Sequence, residues 1–176
     1  MKMAVFLERD GILTVPKIVE GSQVPPLTMD EFHINKDAIG LFDGLKAAGF
    51  LLIVTSNQPG LSDGSLSRRD LESMNAALRD AFPIDDILIC PHDADDSCGC
   101  RKPLIGLFLE ARRKWKIETG TSFVVSDKQQ DAIASHELGC TSLMLDSPWL
   151  CNERCDFTLN TLDAIVKKIL HLQRQH

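Results

Sequence analysis

Apolar positions along the chain fall into two rhythms. Short unbroken runs, such as Met3-Ala4-Val5-Phe6-Leu7 and Phe50-Leu51-Leu52-Ile53-Val54-Thr55, have the character of strands covered on both faces. Further strands are predicted at Asp86-Ile87-Leu88-Ile89, Ser122 to Ser126, Thr141 to Leu145 and Asp156 to Leu159. Between the runs, apolar residues recur at three- and four-residue spacing, which builds one face of a helix. That spacing predicts helices over Asp37 to Gly49, Ser67 to Phe82, Ile105 to Trp115, Gln130 to Leu138 and Leu162 to Leu172. Ser67 stands where it can cap its helix, Pro83 where it stops it, and Gly49 and Gly139 where they end theirs. Continuous apolar strands alternating with amphipathic helices predict an α/β fold with a mostly parallel sheet covered on both faces.

In such sheets ligands bind at the carboxyl ends of the strands. The polar clusters fall there: Glu8-Arg9-Asp10 after the first strand, Ser56-Asn57-Gln58 after the second, and Ser126-Asp127 after the strand at 122–126. Residues 12–33 are different. They hold Pro16, Gly21, Pro25 and Pro26, lack clear periodicity, and read as a long loop. A loop of that length fits a lid or substrate-binding element and equally a passive surface excursion.

The 176 residues carry 44% hydrophobic and 25% charged side chains, ordinary for a globular chain. A net charge of −6 argues against nucleic acid or an anionic membrane as partner. The first apolar run is interrupted at Glu8 and too short for a signal peptide, and no run approaches a membrane span. The expectation is a cytoplasmic chain. No strongly apolar exposed helix face demands a partner subunit, so a monomer is expected.

Each polar cluster has a chemistry of its own. In Phe6-Leu7-Glu8-Arg9-Asp10-Gly11 two acids at i and i+2 can hold Mg²⁺, present a carboxylate to a phosphoryl group and protonate a leaving oxygen. Taken alone, an acid pair at a strand end is more often merely solvated. Thr55-Ser56-Asn57-Gln58-Pro59-Gly60 offers a hydroxyl and backbone amides to phosphate oxygens, or is simply a turn. Arg101-Lys102-Pro103 can neutralise a transferring phosphate, or is surface charge. Asp127 can bind a hard cation, and Asp131 can support it or cap the following helix.

Three of the six cysteines crowd into Cys90 to Cys100 with His92 among them. Cys90, His92, Cys98 and Cys100 supply three thiols and an imidazole, a closed tetrahedral set suited to structural zinc. Such a staple would pin a loop with little core of its own and fix Arg101 and Lys102. Cys140, Cys151 and Cys155 show no pattern and read as reduced thiols.

The joint order of these motifs, from about residue 3 to residue 146, resembles the haloacid dehalogenase superfamily of phosphatases. The resemblance is closer to its branch of heptose 1,7-bisphosphate and histidinol-phosphate phosphatases. That branch carries Asp-x-Asp-Gly, Thr-Asn-Gln-Ser/Pro-Gly, Cys-x-Cys-Arg-Lys-Pro and Gly-Asp-Lys motifs. Here they stand as Glu8 to Gly11, Ser56 to Gly60, Cys98 to Pro103 and Ser126 to Lys128, with the same cysteine–histidine loop before Arg101.

The resemblance implies a three-layer, Rossmann-like α/β domain spanning 1–176, with a small zinc-binding loop insert. It implies Mg²⁺-dependent hydrolysis of a small phosphorylated metabolite, a sugar phosphate or a histidinol-phosphate-like compound. Position 8 would be nucleophile and Mg²⁺ ligand. Asp10 would be general acid and base, with its carbonyl on Mg²⁺, and Asp127 would be a further Mg²⁺ ligand. Ser56, Asn57 and Gln58 would meet the phosphoryl oxygens, Lys102 would stabilise the transferring group, and Arg101 and Lys128 would hold substrate or phosphate.

The chain departs from the branch at Glu8, where aspartate is expected, and at Ser126, where glycine is expected. Glutamate reaches one methylene further. A misplacement of ~1 Å can cost ~100-fold in rate, because in-line attack needs a near-attack geometry. Three readings follow: a slow or specialised phosphatase, a catalytically silent binder of a phosphorylated ligand or partner, and a zinc-stapled interaction module. Retention of Asp10, Ser56, Lys102 and Asp127 weighs against the last.

Overall fold

A computed structural model describes residues 1–151 and 154–175. The strands are β1 (Ala4–Glu8), β2 (Lys17–Val19), β3 (Ser22–Val24), β4 (Leu51–Asn57), β5 (Asp86–Cys90), β6 (Phe123–Ser126), β7 (Thr141–Leu145) and β8 (Phe157–Leu159). The α-helices are α1 (Asp43–Ala47), α2 (Gly60–Asp63), α3 (Arg68–Ala81), α4 (Gly106–Trp115), α5 (Gln129–Leu138) and α6 (Leu162–Gln173). Six strands form one parallel sheet in the order β5-β4-β1-β6-β7-β8, and β2 and β3 form a separate antiparallel pair.

Side chains on a strand alternate between faces, so one apolar run feeds two cores. From β1, Val5 and Leu7 join Leu52, Val54, Phe42, Met74, Leu78 and Ile165 on the face covered by α1, α3 and α6. Ala4 and Phe6 join Ile53, Leu107, Phe108, Ala111 and Ala134 under α4 and α5. This is the predicted layering. No helix among the described residues is long and apolar enough to cross a membrane.

Most elements lie within a residue or two of their predicted bounds. Ser67 caps α3, its Oγ accepting the Asp70 N–H at 3.0 Å, and Gly139 ends α5 with φ 78°. The helix expected over Asp37 to Gly49 is shorter than its apolar spacing suggests. A 3-10 turn covers Lys36–Ala38, Gly40 follows at φ 80°, and only Asp43–Ala47 is α-helical. A left-handed residue cannot continue a right-handed helix, so Gly40 splits the segment.

Within 12–33 the loop contains the β2–β3 hairpin, which period-two patterning did not reveal. Val19 pairs with Ser22, and the central residues Glu20 and Gly21 have φ 50° and 78°. Two positive φ values in a two-residue loop match the turn that joins tightly twisted strands. The short helix α2 was also not anticipated.

The strand order reverses between β1 and β6. A crevice opens at such a switch point, outside the carboxyl ends of the strands. Glu8 ends β1, Ser126 ends β6, and Asn57 ends β4. The polar clusters read from the sequence therefore meet at one edge.

Candidate active site

Glu8 is buried at the end of β1 with both carboxylate oxygens engaged. Oε1 accepts the N–H of Arg9 at 2.8 Å and of Asp10 at 3.3 Å, and Oε2 lies 2.5 Å from Lys102 Nζ. The longer side chain thus curls back over its own strand end. Burial alone would push its carboxyl up. The Lys102 and Lys128 ammoniums, with hydrogen bonds from Lys102 and the Arg9 N–H, override burial and hold it at about 2.

Lys102 is buried beneath Glu8 and spends its three N–H donors on protein acceptors: Glu8, Asp131 Oδ1 at 2.7 Å and the Thr55 carbonyl at 3.0 Å. Burial lowers its pKa, but the Asp131 and Glu8 carboxylates outweigh burial and raise it. Asp131 shifts up, through burial and through repulsion by Glu8. Glu8 is therefore the firmly ionised partner of the two acids that share this ammonium. Asn57 fixes the Lys102 backbone by a reciprocal pair, donating to its carbonyl at 3.1 Å and accepting its N–H at 3.0 Å. Ser126 has a matching task. Its Oγ donates to Asp131 Oδ2 at 2.8 Å and accepts the Lys128 N–H at 3.1 Å, so the departure from glycine adds a support for Asp131.

The Asp10 carboxylate accepts four donors. Arg9 grips it through Nε at 2.9 Å and Nη2 at 3.1 Å, Thr14 Oγ1 donates at 3.1 Å and Gln58 Nε2 at 3.0 Å. Arg9 itself is fully buried and packs over Phe32, 5.5 Å from the ring centroid. Gln58 also donates to Ser56 Oγ at 2.9 Å, and both side chains are buried behind Asp10.

Asp127 Oδ1 accepts from Lys128 Nζ at 3.0 Å, and Oδ2 accepts from Trp149 Nε1 at 3.0 Å. Gln23 Nε2 reaches the same Oδ2 at 3.5 Å, from strand β3. Gly11, at φ 97°, lies against this carboxylate, and a Cβ there would stand 2.2 Å from Oδ2. Glycine is thus required on two counts, backbone conformation and close approach.

The Lys128 ammonium also hydrogen-bonds the Asp10 carbonyl. Burial lowers its pKa, but Glu8 and Asp127 more than compensate and raise it. An ammonium therefore sits among the Asp10 carbonyl, the Asp127 carboxylate and the charge of Glu8. These are hard oxygen donors, and they converge on a position already suited to positive charge. The donor set fits a divalent cation such as Mg²⁺.

A cleft of about 210 Å³ opens above these groups, lined by Glu8, Asp10, Asn57, Arg101, Lys128 and Gln130, with Gln23 and Val24 from β3 and Pro25 just after it. Of the residues singled out in the sequence, Glu8, Asp10, Asn57, Arg101 and Lys128 face it. Lys102, Ser56, Gln58 and Asp127 support it from below.

The Cys90, His92, Cys98 and Cys100 donors lie within 4.8 Å of one another, as the spacing predicted. Cys90 Sγ is 3.9 Å from Cys98 Sγ and 3.2 Å from Cys100 Sγ, and His92 Nδ1 is 3.3 Å from Cys100 Sγ. A tetrahedron with metal–sulfur bonds of ~2.3 Å has edges of ~3.8 Å, so the cluster can hold a metal ion with little adjustment. Burial and the neighbouring thiols push Cys100 up to about 12. At Cys98 burial is outweighed by the backbone N–H groups of Cys100 and Arg101, which bring it down to about 7. The loop reaches the cleft through Arg101, whose Nη1 donates to the His92 carbonyl at 3.0 Å. Its base presses on α4, where a Cβ at Gly106 would stand 2.2 Å from the Gly99 carbonyl.

Trp149 and Gln23 were not singled out in the sequence. The only signal was position: Trp149 follows β7 near the carboxyl edge of the sheet, and Gln23 lies inside the aperiodic segment.

No protein-family model matches the chain. It is 34% identical over 145 residues to D-glycero-beta-D-manno-heptose-1,7-bisphosphate 7-phosphatase of Pasteurella multocida, covering 76% of each chain. It is 31% identical over 145 residues to the histidine biosynthesis bifunctional protein HisB of Campylobacter jejuni, covering 79% of this chain and 40% of that one. Among solved structures, the D,D-heptose 1,7-bisphosphate phosphatase of B. bronchiseptica, complexed with magnesium and phosphate, superposes with a TM-score of 0.79 at 22% identity, over 98% of this chain and 99% of that one.

Proposed function

The chain belongs to the haloacid dehalogenase superfamily, in the branch of heptose-bisphosphate and histidinol-phosphate phosphatases, and from that membership we propose that it is a Mg²⁺-dependent phosphatase of a small phosphorylated metabolite. The observation that carries the reading is the convergence of Glu8, Asp127 and the Asp10 carbonyl around one cation position, beneath a cleft faced by Arg101 and Lys128. The substrate class is a sugar phosphate or a histidinol-phosphate-like compound. Zinc is the metal we assign to Cys90, His92, Cys98 and Cys100, in a structural role.

In this reading a Glu8 oxygen attacks phosphorus while the bond to the leaving oxygen breaks and Asp10 protonates that oxygen. Asp10 then takes a proton from the water that displaces phosphate from the Glu8 carboxyl. Mg²⁺ held by Glu8, the Asp10 carbonyl and Asp127 would neutralise charge on the phosphoryl group. Lys102 keeps Glu8 ionised and fixes its direction. Arg101 and Lys128 draw the phosphoryl oxygens into the cleft, and Ser56, Asn57 and Gln58 hold Lys102 and Asp10 in register behind them.

One observation favours a second reading. Both oxygens of Glu8 are tied down, to Lys102 and to two backbone N–H groups. A carboxylate so held is a poor nucleophile, and the chain would then bind a phosphorylated ligand without turning it over. Phosphate release measured with Mg²⁺ on a panel of sugar phosphates, sugar bisphosphates and histidinol phosphate separates the two, with thermal shift run in parallel. Release supports the phosphatase. Stabilisation without release supports the silent binder. Neither release nor stabilisation rejects both.

A further inference from the structure

A groove of about 670 Å³ lies at the other end of the molecule from the cleft, lined by Met1, Leu109, Arg112, Arg113, Lys116 and Ile117. Backbone pairing builds it. The Lys2 N–H donates to the Lys116 carbonyl and the Glu118 N–H to the Lys2 carbonyl, both at 2.9 Å. Met1 is thereby brought beside the carboxyl end of α4, at the amino edge of the sheet. The five residues of β1, about 16 Å, separate that edge from Glu8.

Leu109, Arg112, Arg113 and Lys116 recur at three- and four-residue spacing along α4 and its C-cap, so they share one stripe about 10 Å long. All four are exposed, and Met1 beside them is 89% exposed. Cations in a last helical turn are favoured by the helix dipole. That accounts for the arginines, but not for apolar side chains left open among them. Among the described residues none of Arg112, Arg113 and Lys116 has an ion pair, whereas the neighbouring Lys114 is held by Asp86 at 2.8 Å. Glu110 and Glu118, the acids next along the chain, engage none of the three. Lys2 adds a further cation on the flank, 5.4 Å from the centroid of the Trp115 ring. A chain of net charge −6 thus carries one strip that is both cationic and apolar.

Met and Arg are enriched in protein interfaces, and unpaired cations set the sign of what they meet. A long polyanion or an anionic membrane would run past the strip onto a chain that repels it. A short acidic segment would not. The groove meets the strands end-on, because β1 is central in the sheet, so it offers no strand edge to an extended peptide. A helix laid along α4 can match the stripe turn by turn. We propose that this groove docks an acidic amphipathic helix of a partner protein, with its apolar residues on Met1 and Leu109 and its carboxylates on Arg112, Arg113 and Lys116. The surface stands apart from the cleft and does not depend on the phosphatase reading.

Fluorescence anisotropy with the full chain at about 0.15 M salt tests it. The probe is a labelled helical peptide of about 18 residues, five turns, with Leu at i, i+3 and i+7 and Glu flanking that stripe. Saturable one-to-one binding in the micromolar range is expected. A shuffled peptide of the same composition should bind at least tenfold more weakly. Arg112→Glu combined with Arg113→Glu should weaken binding at least tenfold, and Leu109→Ser several-fold. These side chains are exposed, so both proteins should keep the parent's melting temperature. Arg68→Glu combined with Arg69→Glu, exposed cations at the start of α3, should leave binding unchanged. Absence of saturable binding, equal affinity for the shuffled peptide, or an equal loss in the two charge reversals overturns the proposal. Self-association in sedimentation, or binding to phosphatidylglycerol vesicles, that is abolished by Arg112→Glu with Arg113→Glu assigns the groove to a second copy or to a lipid surface, and overturns it as well.

Discussion

Lys102 stands 2.5 Å from Glu8 and 2.7 Å from Asp131, one buried ammonium between two buried carboxylates. The arrangement sets the charge state of the strand end from which the proposed chemistry starts. Removing the ammonium strands two acids in a medium that solvates neither. Lys102→Met should therefore cost about 3–5 kcal/mol in urea unfolding, the usual penalty for breaking a buried pair from one side. Adding Asp131→Asn to that variant should restore part of the loss. A single variant within about 0.5 kcal/mol of the parent, the range of a neutral surface change, would contradict the buried network.

The same network fixes the sign of a pH effect. Glu8 is held at about 2 against its ordinary 4.5, so its contribution to stability is full above 4.5 and is lost as pH falls toward 2. Asp131 shifts the other way, so its contribution is full below its ordinary 3.8 and declines as pH rises through its folded value. The two oppose each other in mild acid. Asp131→Asn removes the opposing member. In chelator-treated protein its midpoint for urea unfolding should rise more steeply with pH above 4 than that of the parent, and parallel curves would refute the assignment.

In the proposed mechanism position 8 sets the rate. The curled Glu8 presents its carboxylate from one methylene further along than aspartate would, and both oxygens are already bonded. Glu8→Asp shortens the reach and releases the contact with Lys102. On a substrate from the panel it should raise kcat by about 10- to 100-fold, the scale of a ~1 Å correction. Glu8→Gln should abolish release while leaving ligand-induced stabilisation measurable. A Glu8→Asp protein no faster than the parent would remove position 8 from the nucleophile's role.

Lys128 occupies the position that a divalent cation would share. Its ammonium bonds the Asp10 carbonyl and the Asp127 carboxylate. Lys128→Met removes a like charge and a competitor for those oxygens, so calorimetry with Mg²⁺ alone should show affinity increased several-fold. Phosphate, bound in the presence of Mg²⁺, should weaken, because one of the two cations facing the cleft is gone. Unchanged Mg²⁺ affinity would place the metal elsewhere.

Much of this was legible because it is local or periodic. The strands of the sheet announced themselves as apolar runs, and the carboxyl-edge position of Glu8, Asp127 and Asn57 followed from where the runs ended. The cysteine–histidine loop was readable because ligand spacing is a short-range property. What stayed hidden depends on contacts far apart in sequence. Asn57 meets the Lys102 backbone 45 residues away, and Trp149 meets Asp127 across 22. No periodicity marks such pairs. The split of the segment before β4 was missed because apolar spacing persists through Gly40, whereas the backbone there is left-handed. The β2–β3 hairpin was missed because its strands are three residues each, too short to show alternation.

The cysteine–histidine loop offers the last prediction. Residues 90–100 contain Cys90 as their one fully buried side chain, while the aspartates Asp93, Asp95 and Asp96 are half-buried or exposed and bond mainly to one another's backbone. A segment with so little apolar burial would gain its order from a metal held by Cys90, His92, Cys98 and Cys100. Purified protein should contain one equivalent of zinc, bound by three thiolates and an imidazole. Strong chelation should lower the melting temperature by several degrees, since 1 kcal/mol is worth ~2–4 °C in a chain of this size. It should also weaken phosphate binding, because Arg101 is tied to the loop through the His92 carbonyl. Cys98→Ser should reproduce both effects. Gly106→Ala should reproduce the second without loss of zinc, by pushing the Gly99 carbonyl and with it the loop that carries Arg101. Zinc-free protein with full stability and full phosphate affinity would reduce the cluster to packed thiols.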